Sequence, residues 1–168
     1  MPVNLETERL LLRPPKQEDA DDFLDIFCDE ETCRCDGGYP PFRQKDETFE
    51  QTFDGLLEDA ENRLFLEEKH SGRMIGVMHL MASGKTDAVE IGYAVHRDFR
   101  RRGYASEALK AVLAALAQQG VTDVICTVYQ FNHASCAMLE KLGFACDGQV
   151  EHSNPEWNEK IYTLELNA

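Results

Sequence analysis

Apolar positions recur along the chain with two different periods, and the switches between them mark the elements. In "ERLLLR" (8–13) a short apolar run predicts a first strand, ended by Pro14 and Pro15. Ala20, Phe23, Leu24 and Phe27 then fall at helical spacing, as do Phe49, Phe53, Leu56, Leu57 and Ala60 in a second helix that starts near Asp46. "RLFLEEK" and "RMIGVMHLMA" have strand character on either side of "HSG", which reads as a hairpin turn, and "AVEIGYAV" follows the turn "SGKTD". These runs predict an antiparallel meander. Beyond it come a helix (103–118, closed by Gly120), a strand (123–129), a helix (133–142, closed by Gly143) and the strands "FACDGQV" and "KIYTLEL". This order builds a mixed α/β sheet with helices on both faces. No repeat, low-complexity tract or Pro/Gly/Ser linker divides the 168 residues, so the chain reads as one domain, 1–168.

Charge narrows the classes of partner. With 31 acidic against 17 basic residues and a net charge of -14, a broad basic face for nucleic acid or an anionic membrane is not expected, whereas a cationic partner is. Residues 18–31, "EDADDFLDIFCDEE", hold eight acids and read as a solvated helix face, with attraction of amines as the other reading. No apolar run approaches the roughly 20 residues of a membrane span. The first residues carry Glu6, Glu8, Arg9 and Arg13 where a secretory signal is apolar, so a soluble cytoplasmic protein is expected. Six cysteines then read as reduced thiols: Cys33 and Cys35 form a lone CxC, and Cys126, Cys136 and Cys146 have no CxxC partner. The histidines show no metal spacing either, and no metal is expected.

One segment runs against the acidic background. "HRDFRRRGYASEALKAVLAAL" (96–116) gathers Arg97, Arg100, Arg101 and Arg102 between a strand and a helix that begins near Gly103. The first N–H groups of that helix have no partner within it, and they carry the positive end of the helix dipole. With a glycine beside them and guanidiniums flanking, they suit a phosphate-bearing ligand. GxxxxGK followed by Ser or Thr is absent, as is GxGxxG, which removes the P-loop and dinucleotide readings.

The segment resembles the acetyl-CoA-binding signature of the Gcn5-related N-acetyltransferase superfamily, Gln/Arg-x-x-Gly-x-Gly/Ala, met here by Arg100, Gly103 and Ala105. "VYQFNHASCAMLEKLGF" resembles its second signature through Asn132, Ser135, Gly143 and Phe144, and "TERLLLRPPKQEDADDFLDI" looks like the opening of the ribosomal-protein N-terminal acetyltransferase branch. The resemblance implies a mostly antiparallel sheet of six to seven strands and an acetyl-CoA-dependent N-acetyltransferase acting on a primary amine, either a protein N-terminus or a small cationic amine. It implies that backbone N–H groups of Arg101, Arg102, Gly103, Tyr104, Ala105 and Ser106 hold the pyrophosphate, with the arginine side chains neutralising charge and no metal needed. Ala94 and Val95 are implied to pair with the pantetheine arm, a backbone N–H near Val95 to bond the oxyanion, and Asn132 and Ser135 to contact the cofactor. A homodimer is compatible with the resemblance.

Three catalytic positions follow. Glu90 alternates away from Val89 and Ile91, and the resemblance implies a glutamate on this strand as base, acting directly or through water, the alternative being an exposed strand carboxylate. For the acid, the tyrosine that many members carry seven residues after the asparagine is replaced by Leu139; resemblance to the ribosomal-protein branch, which has a serine at the Asn132-x-x-Ser135 position, implies Ser135 as the first candidate, with Tyr129 second. Helix N-terminal capping or hydrogen bonding within the first turn is the competing role for Ser135. Gly92 fits a bulge that would splay its strand from the next, or close packing against a neighbour. Trp157, in "EHSNPEWNEK", fits a border of the acceptor site or a packed aromatic in a hairpin loop. A catalytically inactive acyl-CoA-binding module and a nucleotide-binding protein are the rival readings.

Overall fold

The computed structural model describes residues 4–84 and 88–166. Among them are eight strands and five α-helices: β1 (Leu5–Glu6), β2 (Leu10–Arg13), α1 (Ala20–Phe27), α2 (Glu30–Asp36), α3 (Glu47–Glu58), β3 (Arg63–Glu68), β4 (Met74–Ala82), β5 (Ala88–Val95), α4 (Tyr104–Gln118), β6 (Asp123–Tyr129), α5 (His133–Lys141), β7 (Ala145–Val150) and β8 (Glu159–Glu165). Hydrogen-bonded neighbours follow the order β1-β2-β3-β4-β5-β6-β8-β7. The sheet is mostly antiparallel, with β5 and β6 parallel over Ala88↔Asp123, Val89↔Val124 and Glu90↔Ile125. The expected six to seven strands become eight because β1, two residues long, pairs Leu5↔Leu12 and Glu6↔Leu11. Two residues carry no periodicity to read. The turn expected at "SGKTD" falls partly outside the described residues, at positions 85–87.

Two compact units arise from the chain path. One takes the described residues up to His79 together with Tyr93–Val112; the other takes Leu80–Gly92 and the described residues from Leu113.

The core of the first unit is aromatic. Phe23 and Phe27 of α1, Phe49 and Phe53 of α3 and Phe65 of β3 are buried together with Ile26, Cys33 and Met74. Phe23 lies 4.6 Å from Phe27, 5.4 Å from Phe53 and 6.2 Å from Phe65, centroid to centroid. Each fully buried phenyl contributes about 2 kcal/mol relative to an exposed one, more than a typical surface ion pair at ~0–1 kcal/mol. Asp46 caps α3 by accepting from the Phe49 N–H at 3.0 Å, which seats both phenylalanines on the inner face. α3 ends at Glu58, so Ala60, expected in the helix, sits in the 3-10 turn that follows.

Helix α2 is absent from the periodicity. It is short and polar, with Thr32 and Cys33 as its buried residues, and it exists because Asp29 caps it by accepting from the Thr32 N–H at 3.0 Å. Buried Arg13 closes the start of this unit: both of its Nη groups meet Asp19, at 2.9 and 2.7 Å, and its Nε meets Glu67 at 2.6 Å. The paired fork satisfies a guanidinium that would be costly to bury alone.

In the second unit β8 lies between β6 and β7, with Cys126↔Tyr162 central to the β6 register. Tyr162 is fully buried, and its hydroxyl donates to Glu140 Oε1 at 3.0 Å. The end of α4 that belongs to this unit buries Leu113 and Leu116 and gives way to Gly120 at φ 82°, while its earlier turns, in the first unit, bury Ala108, Leu109 and Val112. The six cysteines are free thiols.

Candidate active site

The phosphate-type segment of the first unit is built from β5 onward. His96, fully buried, follows β5, and its Nδ1 accepts from the Asp98 N–H at 3.1 Å, capping the 3-10 turn Arg97–Phe99. That bond leaves Nε2 to donate to Asp25 Oδ2 at 2.8 Å. Two residues further on, Arg101 takes φ 60° and Gly103 takes φ 80°. A non-glycine residue in the left-handed region costs about 1–3 kcal/mol and persists only where its surroundings hold it. The Glu107 N–H donates to the Gly103 carbonyl at 2.9 Å, so Gly103 is the N-cap residue from which α4 springs. Its first N–H groups, at Gly103, Tyr104, Ala105 and Ser106, therefore have no partner along the helix.

The arginines divide into two pairs. Arg97 bonds the Asp25 carbonyl at 2.9 Å and Asp25 Oδ1 at 3.1 Å, and Arg100 bonds Asp29 at 2.9 Å, Glu31 at 3.1 Å, the Val95 carbonyl at 3.3 Å and Thr32 Oγ1. The expected neutralisation of phosphate by the Arg100 side chain meets this competing set of acids. Arg101 and Arg102 are exposed, with the Arg102 guanidinium 5.4 Å from the Phe99 ring centroid. The acids of residues 18–31 thus serve as partners as well as a solvated face, since Asp25, Asp29 and Glu31 secure the segment that precedes the turn. Ala94 is buried and Val95 half-buried. Gly76 of β4, which pattern reading passed over, makes room for them: a Cβ there would lie 2.8 Å from the Ala94 carbonyl oxygen.

These tethers depend on pH. Burial alone would raise Asp25, but bonds from His96, Arg73 and Arg97 outweigh it and hold the carboxyl below its ordinary value. Asp29 follows the same pattern, with Thr32 and Arg100 outweighing its burial. A carboxyl lowered on folding gives stability that is complete above its unfolded pKa, ~3.9 for Asp, and that fades as pH falls through the lower folded value. The urea midpoint of the protein should fall between pH 5 and pH 3, and Asp25→Asn should fall less across that window. Equal slopes for the two proteins would remove Asp25 from the explanation.

In the second unit, Glu90 lies between buried Val89 and Ile91, as alternation requires, and is half-buried. Thr127 of β6 donates its hydroxyl to Glu90 Oε1 at 3.1 Å. The paired register of β5 and β6 ends at Glu90↔Ile125, two residues before Gly92, and the described register irregularities lie elsewhere, at Leu66/Glu67 and Cys146/Gly148. Buried Cys126 has its thiol pushed up to about 12 by desolvation first and by the charge of Glu90 second, so it is no nucleophile at neutral pH.

Tyr129 stacks on Phe131 at 5.2 Å, and Trp157 meets both edge-on at 5.4 and 5.5 Å. Trp157, part-buried at the end of the 3-10 turn Pro155–Trp157, thus packs on both rings. Asn132 caps α5 by accepting from the Ser135 N–H at 3.3 Å, while Ser135 is buried and Leu139 is fully buried core. The capping role falls to Asn132 rather than Ser135. Asn132→Ala should cost about 1 kcal/mol of stability, read as a lower urea midpoint, whereas Asn132→Asp should keep most of it.

The family description Acetyltransferase (GNAT) domain matches residues 9–145, a span that holds the turn at Arg101–Gly103, Glu90 and the Asn132 cap. The chain belongs to the GNAT acetyltransferase family. An uncharacterized N-acetyltransferase, YoaA, of Bacillus subtilis (strain 168) is 30% identical over 174 residues, covering 95% of each chain. Among solved structures, a GNAT-family acetyltransferase from Bacillus anthracis superposes with a TM-score of 0.83 at 20% identity, covering 97% of this chain and 98% of that one. RimL, a ribosomal L7/L12 alpha-N-protein acetyltransferase in complex with coenzyme A, gives 0.81 at 18% identity, with 97% and 98% covered. Those structural likenesses carry the GNAT fold. Among the described residues, no group of three or more His, Cys, Asp or Glu side chains is placed to hold a metal, and no helix is long and apolar enough to cross a membrane.

Proposed function

We propose that this GNAT protein transfers the acetyl group of acetyl-CoA to a primary amine, acting as a single N-acetyltransferase domain. The observation that carries the reading is the turn at the start of α4: left-handed Arg101 and Gly103 present helix N–H groups within the family-matched segment. N–H groups from Arg101 to Ser106 take the pyrophosphate. Exposed Arg101 and Arg102 supply side-chain charge, Arg100 supplies backbone, and Ala94 and Val95 line the pantetheine arm. Asn132, whose carbonyl oxygen is committed to its cap, keeps its amide N–H groups for the cofactor.

In the reaction the amine lone pair attacks the thioester carbonyl carbon, Glu90 takes the amine proton, and a backbone N–H near Val95 bonds the oxyanion. The C–S bond then breaks, and the departing thiolate is protonated by Ser135 or, as second candidate, Tyr129. The acceptor is a protein N-terminal amine or a small cationic amine, a choice that the net charge of -14 supports. RimL, whose substrate its name states, supports the first.

Calorimetric titration with CoA, with ATP as competitor, tests the cofactor half. CoA should bind with ATP displacing it only at large excess; ATP binding more tightly than CoA would transfer the turn to a nucleotide-binding role.

A further inference from the structure

The reaction uses none of Thr7, Glu8 or Arg9, yet this short segment before β2 grips the phosphate-type turn. Arg9 Nε donates to Glu107 Oε2 at 2.7 Å and Arg9 Nη1 donates to the Arg102 carbonyl at 2.8 Å. Its guanidinium carbon sits 4.2 Å from the Tyr104 ring centroid. The Arg9 backbone N–H and the Thr7 hydroxyl both donate to Glu107 Oε1, at 2.9 and 2.6 Å. One segment therefore occupies both oxygens of the acid in the first turn of α4. Burial would raise Glu107, but bonds from Thr7 and Arg9 hold it below the usual carboxylate range, so it stays an anion.

Two consequences follow from elementary geometry. The Arg102 carbonyl and the Gly103 N–H belong to one planar trans peptide and point to opposite sides of it. Holding the carbonyl against Arg9 therefore turns the Gly103 N–H away from Arg9. A carboxylate in the first helical turn also draws on the same positive helix end that a phosphate would use, and the Arg9 guanidinium offsets that competition.

We propose that Arg9 is a positioning residue for the phosphate-binding turn, aiming the Gly103 N–H at the pyrophosphate of CoA and neutralising Glu107. The inference rests on the acetyl-CoA reading above. Its test compares CoA with pantetheine, which lacks the pyrophosphate, by calorimetry on the unaltered chain, Arg9→Ala and Arg9→Lys, with urea midpoints measured alongside. Arg9→Ala should weaken CoA about tenfold or more, as expected for loss of charge-assisted bonds, and leave pantetheine unchanged. Arg9→Lys should not recover that loss, because one ammonium cannot make the Nε and Nη1 bonds together; it serves as the second variant if Arg9→Ala does not fold. Equal CoA affinity in Arg9→Ala, equal losses for CoA and pantetheine, or full recovery with lysine overturns the positioning role while leaving the acetyl-CoA reading in place. An unaltered chain that does not bind CoA overturns both.

Discussion

Gly103→Glu abolishes measurable CoA binding in this account, with a loss of at least ~100-fold, or about 2.8 kcal/mol. Backbone, space and charge act in the same direction. Gly103 has φ 80°, a region in which a side chain costs about 1 kcal/mol. A Cβ there would lie 3.4 Å from Arg9 Nη2, so the new side chain grows toward the guanidinium that positions the turn. The added carboxylate would compete with Glu107 for Arg9 and stand where phosphate charge is to be held. Gly103→Ala carries the backbone cost without the charge and should weaken CoA by only about fivefold. Calorimetry gives the affinities, and far-UV circular dichroism should remain that of the unaltered protein. Retained CoA affinity in the Glu variant would displace the pyrophosphate from this turn.

Glu90→Gln should lower kcat by roughly 10²- to 10⁴-fold, the range for removal of a general base, while the CoA dissociation constant stays the same. Glutamine preserves size and can still accept from Thr127, the hydrogen bond seen at 3.1 Å, so the β5–β6 pairing should survive. The loss should shrink as pH rises and more of the acceptor amine arrives already deprotonated. A loss independent of pH would assign Glu90 to binding or structure instead of proton transfer.

Much of this arrangement is legible in the sequence, and the gaps have physical causes. β5 and β6 are read at their observed boundaries because each has a clear apolar run between turn signals. The direction of Glu90 is legible from alternation, since period two puts it opposite two buried neighbours, whereas its role as base is implied by the resemblance. Helix α2 escapes because a seven-residue polar segment held by a cap has no apolar stripe. The insertion of β8 between β6 and β7 escapes because strand order is set by long-range pairing that leaves no local mark.

The charges are the sharper lesson. Residues 18–31 and the arginines at 97–102 look locally like an acidic face and a basic run. Each holds partners for the other some seventy positions away, as in Arg97 with Asp25 and Arg100 with Asp29. Spacing within either segment cannot reveal that pairing. The clamp of Thr7 and Arg9 on Glu107 is hidden for the same reason, with about one hundred residues between its halves.

The most direct test of acetyl transfer is thiol release from acetyl-CoA by the purified protein, followed with a thiol reagent across a panel of primary amines. The panel should include peptides with free N-termini, polyamines and amino acids. Release above the spontaneous rate is expected with at least one amine, with that rate collapsing in Glu90→Gln and Gly103→Glu. A protein that binds CoA yet releases no thiol with any amine of the panel would contradict it, and the chain would be a binding module on a GNAT fold.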